Sequence, residues 1–269
     1  AVLVDVGVAE DDEIAVGDRV ASCFFQDWAD GGISQKAMDS ALGGALDGVL
    51  AEQVVLLAAG VIPVPVGYDV AAAATLPCAA LTAWRALVEV GGMKAGDKVL
   101  LLGTGGVSIF ALQFAVAAGA EVIITSSSDA KLERARAMGA HHTINYRSTP
   151  EWQDAVRALT GGQGVDITVE VGGPGTVARS VEATRVGGTV ALIGILAGGQ
   201  FNPTAVMRKS INLQGVYVGS RRMFADMNRA IALHGISPVI DQTFAFDQAP
   251  AAFHAMAGQG HFGKIVVTV

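Results

Sequence analysis

The chain has 269 residues, 51% of them hydrophobic and 16% charged, with 18 Lys+Arg against 25 Asp+Glu and a formal net charge of −7. That composition excludes intrinsic disorder, which needs low hydrophobicity and high charge. With a pI near 5.2 and no block of Lys or Arg, it argues against nucleic acid as a partner, because phosphates demand clustered cations.

Residues 1–4 carry neither the charged region nor the cleavage pattern of a signal peptide, and the missing Met is expected of a chain that begins partway through a longer protein. The mean hydropathy of +0.46 invites a membrane reading. The most apolar run, 54–66, is shorter than the roughly 18 residues of a spanning helix and holds Pro63 and Pro65. Short continuous apolar runs instead match strands buried on both faces of a sheet. Cys23 and Cys78 belong to no CxxC pair, which excludes a disulfide scaffold and a four-cysteine zinc site and points to a reducing cytoplasm. Residues 1–75 hold strand-like pieces at 18–25 and 48–57 among Gly and Pro.

From residue 98 the pattern alternates. A strand at 98–102 ends in glycines, and a helix at 107–118 stops at Gly119. A strand at 122–125 leads to the capping side chains of Ser126–Asp129 and a helix at 130–138 closed by Gly139. After a strand at 142–146, Thr149-Pro150-Glu151 supplies a cap, a Pro at the first helical position and a first-turn acid, so a helix runs to about Thr160. A strand follows at 165–171, then a helix at 176–185 ended by Gly187-Gly188. Next come a strand at 189–195, a short helix at 203–209, a strand at 211–218 and a helix at 221–233. Residues 240–246 and 264–269 are again strand-like. Six strands joined by helical crossovers predict an α/β fold with a doubly wound parallel sheet. A β-rich region at 1–75 and 237–269 is split around that 76–236 domain.

The segment Leu102-Gly103-Thr104-Gly105-Gly106-Val107-Ser108 follows a strand and opens a helix, the context a dinucleotide fingerprint requires. Gly103 allows the tight turn, Gly105 lets the backbone approach a pyrophosphate, and the helix N-terminus attracts it. Ser108 takes the third fingerprint position, where a small residue is needed. An ordinary glycine-rich turn would share this sequence but not the five βα units behind it. An NAD site places an acid at the end of the second strand. Here that end reads Thr125-Ser126-Ser127-Ser128, and Asp129 is expected to cap the next helix. Small hydroxyls with Lys131 suit a 2′-phosphate, so NADP(H) is expected over NAD(H).

Five segments carry a family resemblance: LPCAALTAWRAL (76–87), GDKVLLLGTGGVS (96–108), AKLERARAMGAHHTINYR (130–147), GVDITVEVGG (164–173) and HFGKIVV (261–267). They resemble the medium-chain dehydrogenase/reductase superfamily, most closely its zinc-independent, quinone oxidoreductase-like branch. The resemblance runs from Val16 to the end and implies a Rossmann cofactor domain inside a partial GroES-like catalytic domain. The opening stretch of the family pattern, which carries substrate-cleft residues and the first zinc ligand of the zinc-dependent branch, is absent here. The resemblance implies cofactor contacts from Thr82 beside the nicotinamide and from Gly105, Gly106 and Val107 at the pyrophosphate. It places Ser126, Ser127 and Lys131 at the 2′-phosphate, and Tyr146 near the adenine. Val171, Gly172, Gly173, Ile193, Gly194, Ile195, Tyr217 and Val218 stand at strand ends, and Lys264 near the cleft.

The implied activity is hydride transfer between the nicotinamide and a carbonyl, enone or quinone-type substrate. No catalytic residue is assigned. Phe24, Phe25, Asp27, Trp28, Cys78 and Tyr217 are expected to shape the cleft. Cys78 stands where zinc-dependent relatives hold a ligand, so a zinc alcohol dehydrogenase is the first alternative, with zinc itself not expected. A non-catalytic dinucleotide-binding sensor or structural protein is the second. His141-His142, His234, His254 and His261 are read as structural. A homodimer is expected through the sixth strand, 212–218, because an apolar sheet edge invites pairing.

Overall fold

A computed structural model describes residues 2–3, 14–195 and 198–269. The chain forms two compact units, Thr82–Tyr217 and a second made of Ala1–Leu81 with Val218–Val269. The first of these is narrower than the expected 76–236, since residues 76–81 and 218–236 group with the flanks.

In the flanking unit, β1 (Val2–Leu3), β2 (Arg19–Ser22) and β3 (Val61–Pro63) make a three-stranded antiparallel sheet. Val20 and Val61 pack with Ile14 beneath it. Residues 48–57 do not form the expected strand. They find no ladder among the described residues and run as irregular chain with Val55 fully exposed, since an unpaired strand leaves its N–H and C=O groups unsatisfied. Helical turns stand at α1 (Gln35–Met38), capped by Ser34, and α2 (Val70–Ala73), capped by Asp69.

Residues Val70–Val90 are helical throughout. In this stretch a π-helical turn at Leu76–Ala80 joins α2 to α3 (Leu81–Trp84), and a second at Arg85–Val90 follows α3. It corrects the expectation that no segment reaches spanning length, because its 21 residues are long and apolar enough by length and composition. Leu76, Ala80, Leu81, Ala83 and Leu87 nevertheless have no exposed surface, so they serve the protein's own core.

The unit Thr82–Tyr217 holds six parallel strands: β4 (Lys98–Leu101), β5 (Glu121–Ser126), β6 (His142–Asn145), β7 (Val165–Glu170), β8 (Thr184–Leu192) and β9 (Asn212–Gly215). Their spatial order is β6-β5-β4-β7-β8-β9, the order of a Rossmann sheet. The crossovers are α4 (Gly106–Ala117), α5 (Asp129–Ala137), α6 (Trp152–Leu159), α7 (Val177–Ala183) and α8 (Thr204–Arg208). Val99, Leu100, Leu101, Val122, Ile123 and Ile124 are completely buried, as central parallel strands covered on both faces must be. Leu100, Ile123, Ile144, Trp152, Val156 and Val165 form one core cluster.

Three boundaries differ from the sequence pattern. The helix α6 starts at Trp152, because the Thr149 N–H is taken by the Asn145 carbonyl in a turn leaving β6. The glycines 187 and 188 end no helix; they lie within β8. There Val165 faces Thr184 while Ile167 faces Thr189, so two steps on β7 match five on β8 and the strand bulges. The edge strand β9 is shorter than 211–218. In the flanking unit, α9 (Arg221–His234) is capped by Ser220, and β10 (Ile240–Ala245) pairs in parallel with β11 (Lys264–Thr268) across α10 (Ala249–Ala257).

Asp166 ties the amino-terminal edge of the six-stranded sheet together. Its carboxylate accepts the Lys98 N–H at 2.8 Å and the Arg185 Nε at 2.6 Å. Burial pushes this carboxyl up, but those two donors outweigh it and hold it below the usual carboxylate range. A depressed carboxyl stabilises the fold above its unfolded pKa, and that stability is lost as pH falls through the folded value. Asp166→Asn is therefore expected to lower the melting temperature at pH 7 by about 3–6 °C. In melts followed by circular dichroism, the gap from wild type should close as the pH is taken below the carboxylate range.

Candidate functional site

Backbone conformation at the end of β4 builds the first part of the site. Gly103 has φ +72°, the left-handed region that favours glycine, and its N–H donates to the Thr125 hydroxyl at 3.3 Å. Thr104 is buried. Gly105 is the N-cap of α4 and places no side chain over the first turn, so the amides of Gly106, Val107 and Ser108 have no helical partner. A methyl group at Gly105 would project into open space. A small side chain was expected at position 108 for packing alone. The Ser108 hydroxyl also donates to the Leu102 carbonyl at 2.6 Å, pinning the helix start to the strand end.

The second part lies where β5 ends. Ser126 is buried, its oxygen accepting the Ser128 N–H at 3.4 Å. Ser127 and Lys131 are half-buried. The cap of α5 is Ser128, not Asp129. Asp129 instead accepts from the Asn145 amide at 2.7 Å, so its carboxylate is committed to β6. Tyr146, beyond β6, is 42% exposed.

The third part is the pair of loops after β7 and β8. The side-chain oxygens of Glu170 accept the N–H groups of Gly172 and Gly173 and the hydroxyls of Thr176 and Ser180. Its main-chain oxygen accepts the N–H groups of Ile193 and Gly194. Gly173 has φ +77°, and a methyl group on Gly194 would lie 2.3 Å from the Gly173 nitrogen. The two loops therefore touch backbone to backbone. Val171 is half-buried and Ile195 82% exposed. Glu170 escaped the sequence reading, although an acid at the end of the apolar run ITV, just before two glycines, is a signal, since a buried carboxylate demands donors.

The remaining expected residues are dispersed. Thr82 is buried on α3, and the Tyr217 carbonyl accepts Arg85 Nη1 at 3.1 Å. Val218 falls in the flanking unit, buried, at φ +50°. In that unit Phe25 and Trp28 are core residues with ring centroids 5.5 Å apart. This corrects their expected place in a cleft. Asp27 is exposed and pairs with Lys36. Burial pushes the Cys23 thiol up to about 12, against the pull of Arg221. Burial pushes the Lys264 ammonium down, with Cys78 opposing. Among the described residues no three of His, Cys, Asp and Glu are grouped as a metal ion needs. Cys78 is exposed, and its charge acts on Lys264. His141 Nδ1 accepts the Val122 N–H and His142 meets Glu121 at 3.1 Å, so both are structural.

A cavity of about 460 Å³ lies at the opposite, amino-terminal sheet edge, among Arg157, Glu182, Arg185 and Lys209. Its charges serve the fold, since Lys209 Nζ donates to the carbonyls of Val181, Glu182 and Thr184, closing α7.

The chain matches known proteins along most of its length. Residues 106–233 match the zinc-binding dehydrogenase family. A zinc-type alcohol dehydrogenase-like protein of Schizosaccharomyces pombe is 42% identical over 94% of this chain and 75% of its own length. Another, from Leptosphaeria maculans, is 34% identical over 73% of this chain and 58% of its own. The crystal structure of a putative alcohol dehydrogenase from Sinorhizobium meliloti, 43% identical, superposes with a TM-score of 0.90 over 97% of this chain and 77% of that one. A glycine loop on the first strand of a 3-2-1-4-5-6 sheet, in a sequence this close to these relatives, makes the chain a member of the medium-chain dehydrogenase/reductase superfamily, a family of oxidoreductases.

Proposed function

We propose that the chain is an NADP(H)-dependent oxidoreductase that transfers hydride between the nicotinamide and a small carbonyl, enone or quinone-type substrate without zinc. The observation that carries this reading is the open, side-chain-free N-terminus of α4 beside a β5 end that offers hydroxyls and a lysine and keeps its nearest carboxylate engaged elsewhere. The dinucleotide supplies the hydride when bound. The amides of Gly106, Val107 and Ser108 grip its pyrophosphate. Ser126, Ser127 and Lys131 receive the 2′-phosphate, and Tyr146 lies along the adenine. Thr82, Val171–Gly173, Ile193–Ile195 and Tyr217 shape the nicotinamide half, where the protein contributes position and a dry surface.

Relatives support this range of substrates. A crotonyl-CoA reductase of Streptomyces collinus is 32% identical, this chain spanning 46% of its length. A 2-haloacrylate reductase of Burkholderia is 34% identical, with 60% spanned. Both names describe reduction of an activated double bond. Among solved structures, a mycobacterial protein complexed with NADPH is 27% identical, and an NAD-dependent alcohol dehydrogenase is 31% identical.

NADPH oxidation with a panel of enones, quinones and aldehydes tests the activity. Turnover of at least one supports it, and tight binding without any turnover would make the protein a sensor. By fluorescence titration, NADPH should bind at least tenfold tighter than NADH. Ser127→Asp should weaken NADPH about tenfold or more while leaving NADH within a few-fold, because a carboxylate there repels the extra phosphate. Metal analysis of purified protein should find no stoichiometric zinc, and one zinc per chain would overturn the zinc-free reading. We also propose a homodimer through the edge of β9. Light scattering should report twice the chain mass, and Gly215→Pro, which removes an N–H on the side of β9 away from β8, should shift it to monomer.

A further inference from the structure

Glu170 is the only carboxylate among the described residues that is fully buried. Its side-chain hydrogen-bond donors are all neutral groups. Oε1 accepts the N–H of Gly172 at 2.7 Å, the N–H of Gly173 at 2.9 Å and the Thr176 hydroxyl at 2.6 Å, and Oε2 accepts the Ser180 hydroxyl. Such charge-assisted bonds are the strong ones. Its main-chain oxygen takes the N–H of Ile193 at 2.8 Å and of Gly194 at 3.0 Å. One residue thus holds both loops that leave β7 and β8, across the point where Gly173 and Gly194 meet backbone to backbone.

These loops need such a hold. The run Val171-Gly172-Gly173-Pro174-Gly175 carries almost no side chain to pack, and glycine gives up the most conformational freedom on ordering. A Rossmann sheet has two mononucleotide halves. The glycine loop and β5 belong to the first, and the ends of β7 and β8 to the second. The amides of Gly172 and Gly173 are committed to the carboxylate, so this second half does not grip phosphate through them. It contributes by shape.

We infer that Glu170 is a positioning residue for the nicotinamide half of the bound dinucleotide, ordering its two loops before the cofactor arrives. The inference rests on the dinucleotide reading proposed above. Preordering removes an entropy cost from binding, and a loop set in place fixes the reacting carbon.

The test compares two ligands that differ only at the inferred end: NADPH, and 2′-phospho-ADP-ribose, which lacks nicotinamide. Affinities are measured by calorimetry on wild-type protein, Glu170→Ala, Glu170→Gln and Thr176→Val. Glu170→Ala should weaken NADPH about tenfold or more, and Thr176→Val about threefold. Both should leave 2′-phospho-ADP-ribose within twofold. Glu170→Gln keeps one acceptor oxygen and should recover most of the NADPH affinity. If Glu170→Ala fails to fold, the milder Thr176→Val decides. Equal weakening of both ligands, or no change in either, overturns the inference and leaves the dinucleotide reading standing. Wild-type protein that binds neither ligand overturns both.

Discussion

The candidate site depends on the parallel pairing of β4 with β5 on one side and β7 on the other. Parallel neighbours require crossovers. The crossover from β4 leads away to β5, and the chain then returns through β6 and α6 to reach β7. The connections therefore part at the carboxyl end of β4, the switch point at which such sheets open a crevice. Every crossover also begins there, so helix N-termini and their unpaired amides gather on the same edge. The glycine loop is useful only because it opens into that gap.

The two edges of the sheet divide the work. At the amino-terminal edge, Asp166, Arg185 and Lys209 spend their charges on backbone groups and on each other, fastening strand starts and a helix end. At the carboxyl-terminal edge, the buried carboxylate of Glu170 is likewise spent inward, on the loops themselves. The first-turn amides of α4 are left uncapped. At this edge the carboxylate that holds the loops is satisfied by its neighbours, while the first-turn main-chain donors of α4 are not.

Much of this was legible in the chain's letters because it is local. Apolar runs such as 98–101 and 122–124, each followed by a helix stopped near a glycine, specify strand and helix from short windows, and the six-strand alternation follows. What was illegible is what depends on a distant partner. Thr149-Pro150-Glu151 carries good cap chemistry, yet the Thr149 amide is claimed by Asn145, so α6 starts later. Gly187-Gly188 has the composition of a helix stop, but pairing of β8 with β7 draws it into a strand. Asp129 reads as a cap and is held by Asn145 across to β6. The FFQDW loop looked like a cleft wall, while Phe25 and Trp28 pack into the core. Glu170 is the intermediate case. All its side-chain partners lie within ten residues of it in the chain, so attention to one acid in an oily strand would have found them.

The surplus length on β8 has a mechanical meaning. Three more residues on that strand than on its neighbour, all before Thr189, form slack upstream of the regular ladder. Strain or length variation entering from α7 is taken up in this expansion joint, and from Thr189 to Leu192 the strand runs in step with β7. The end of the sheet that carries the glycine loop is thereby left in even register.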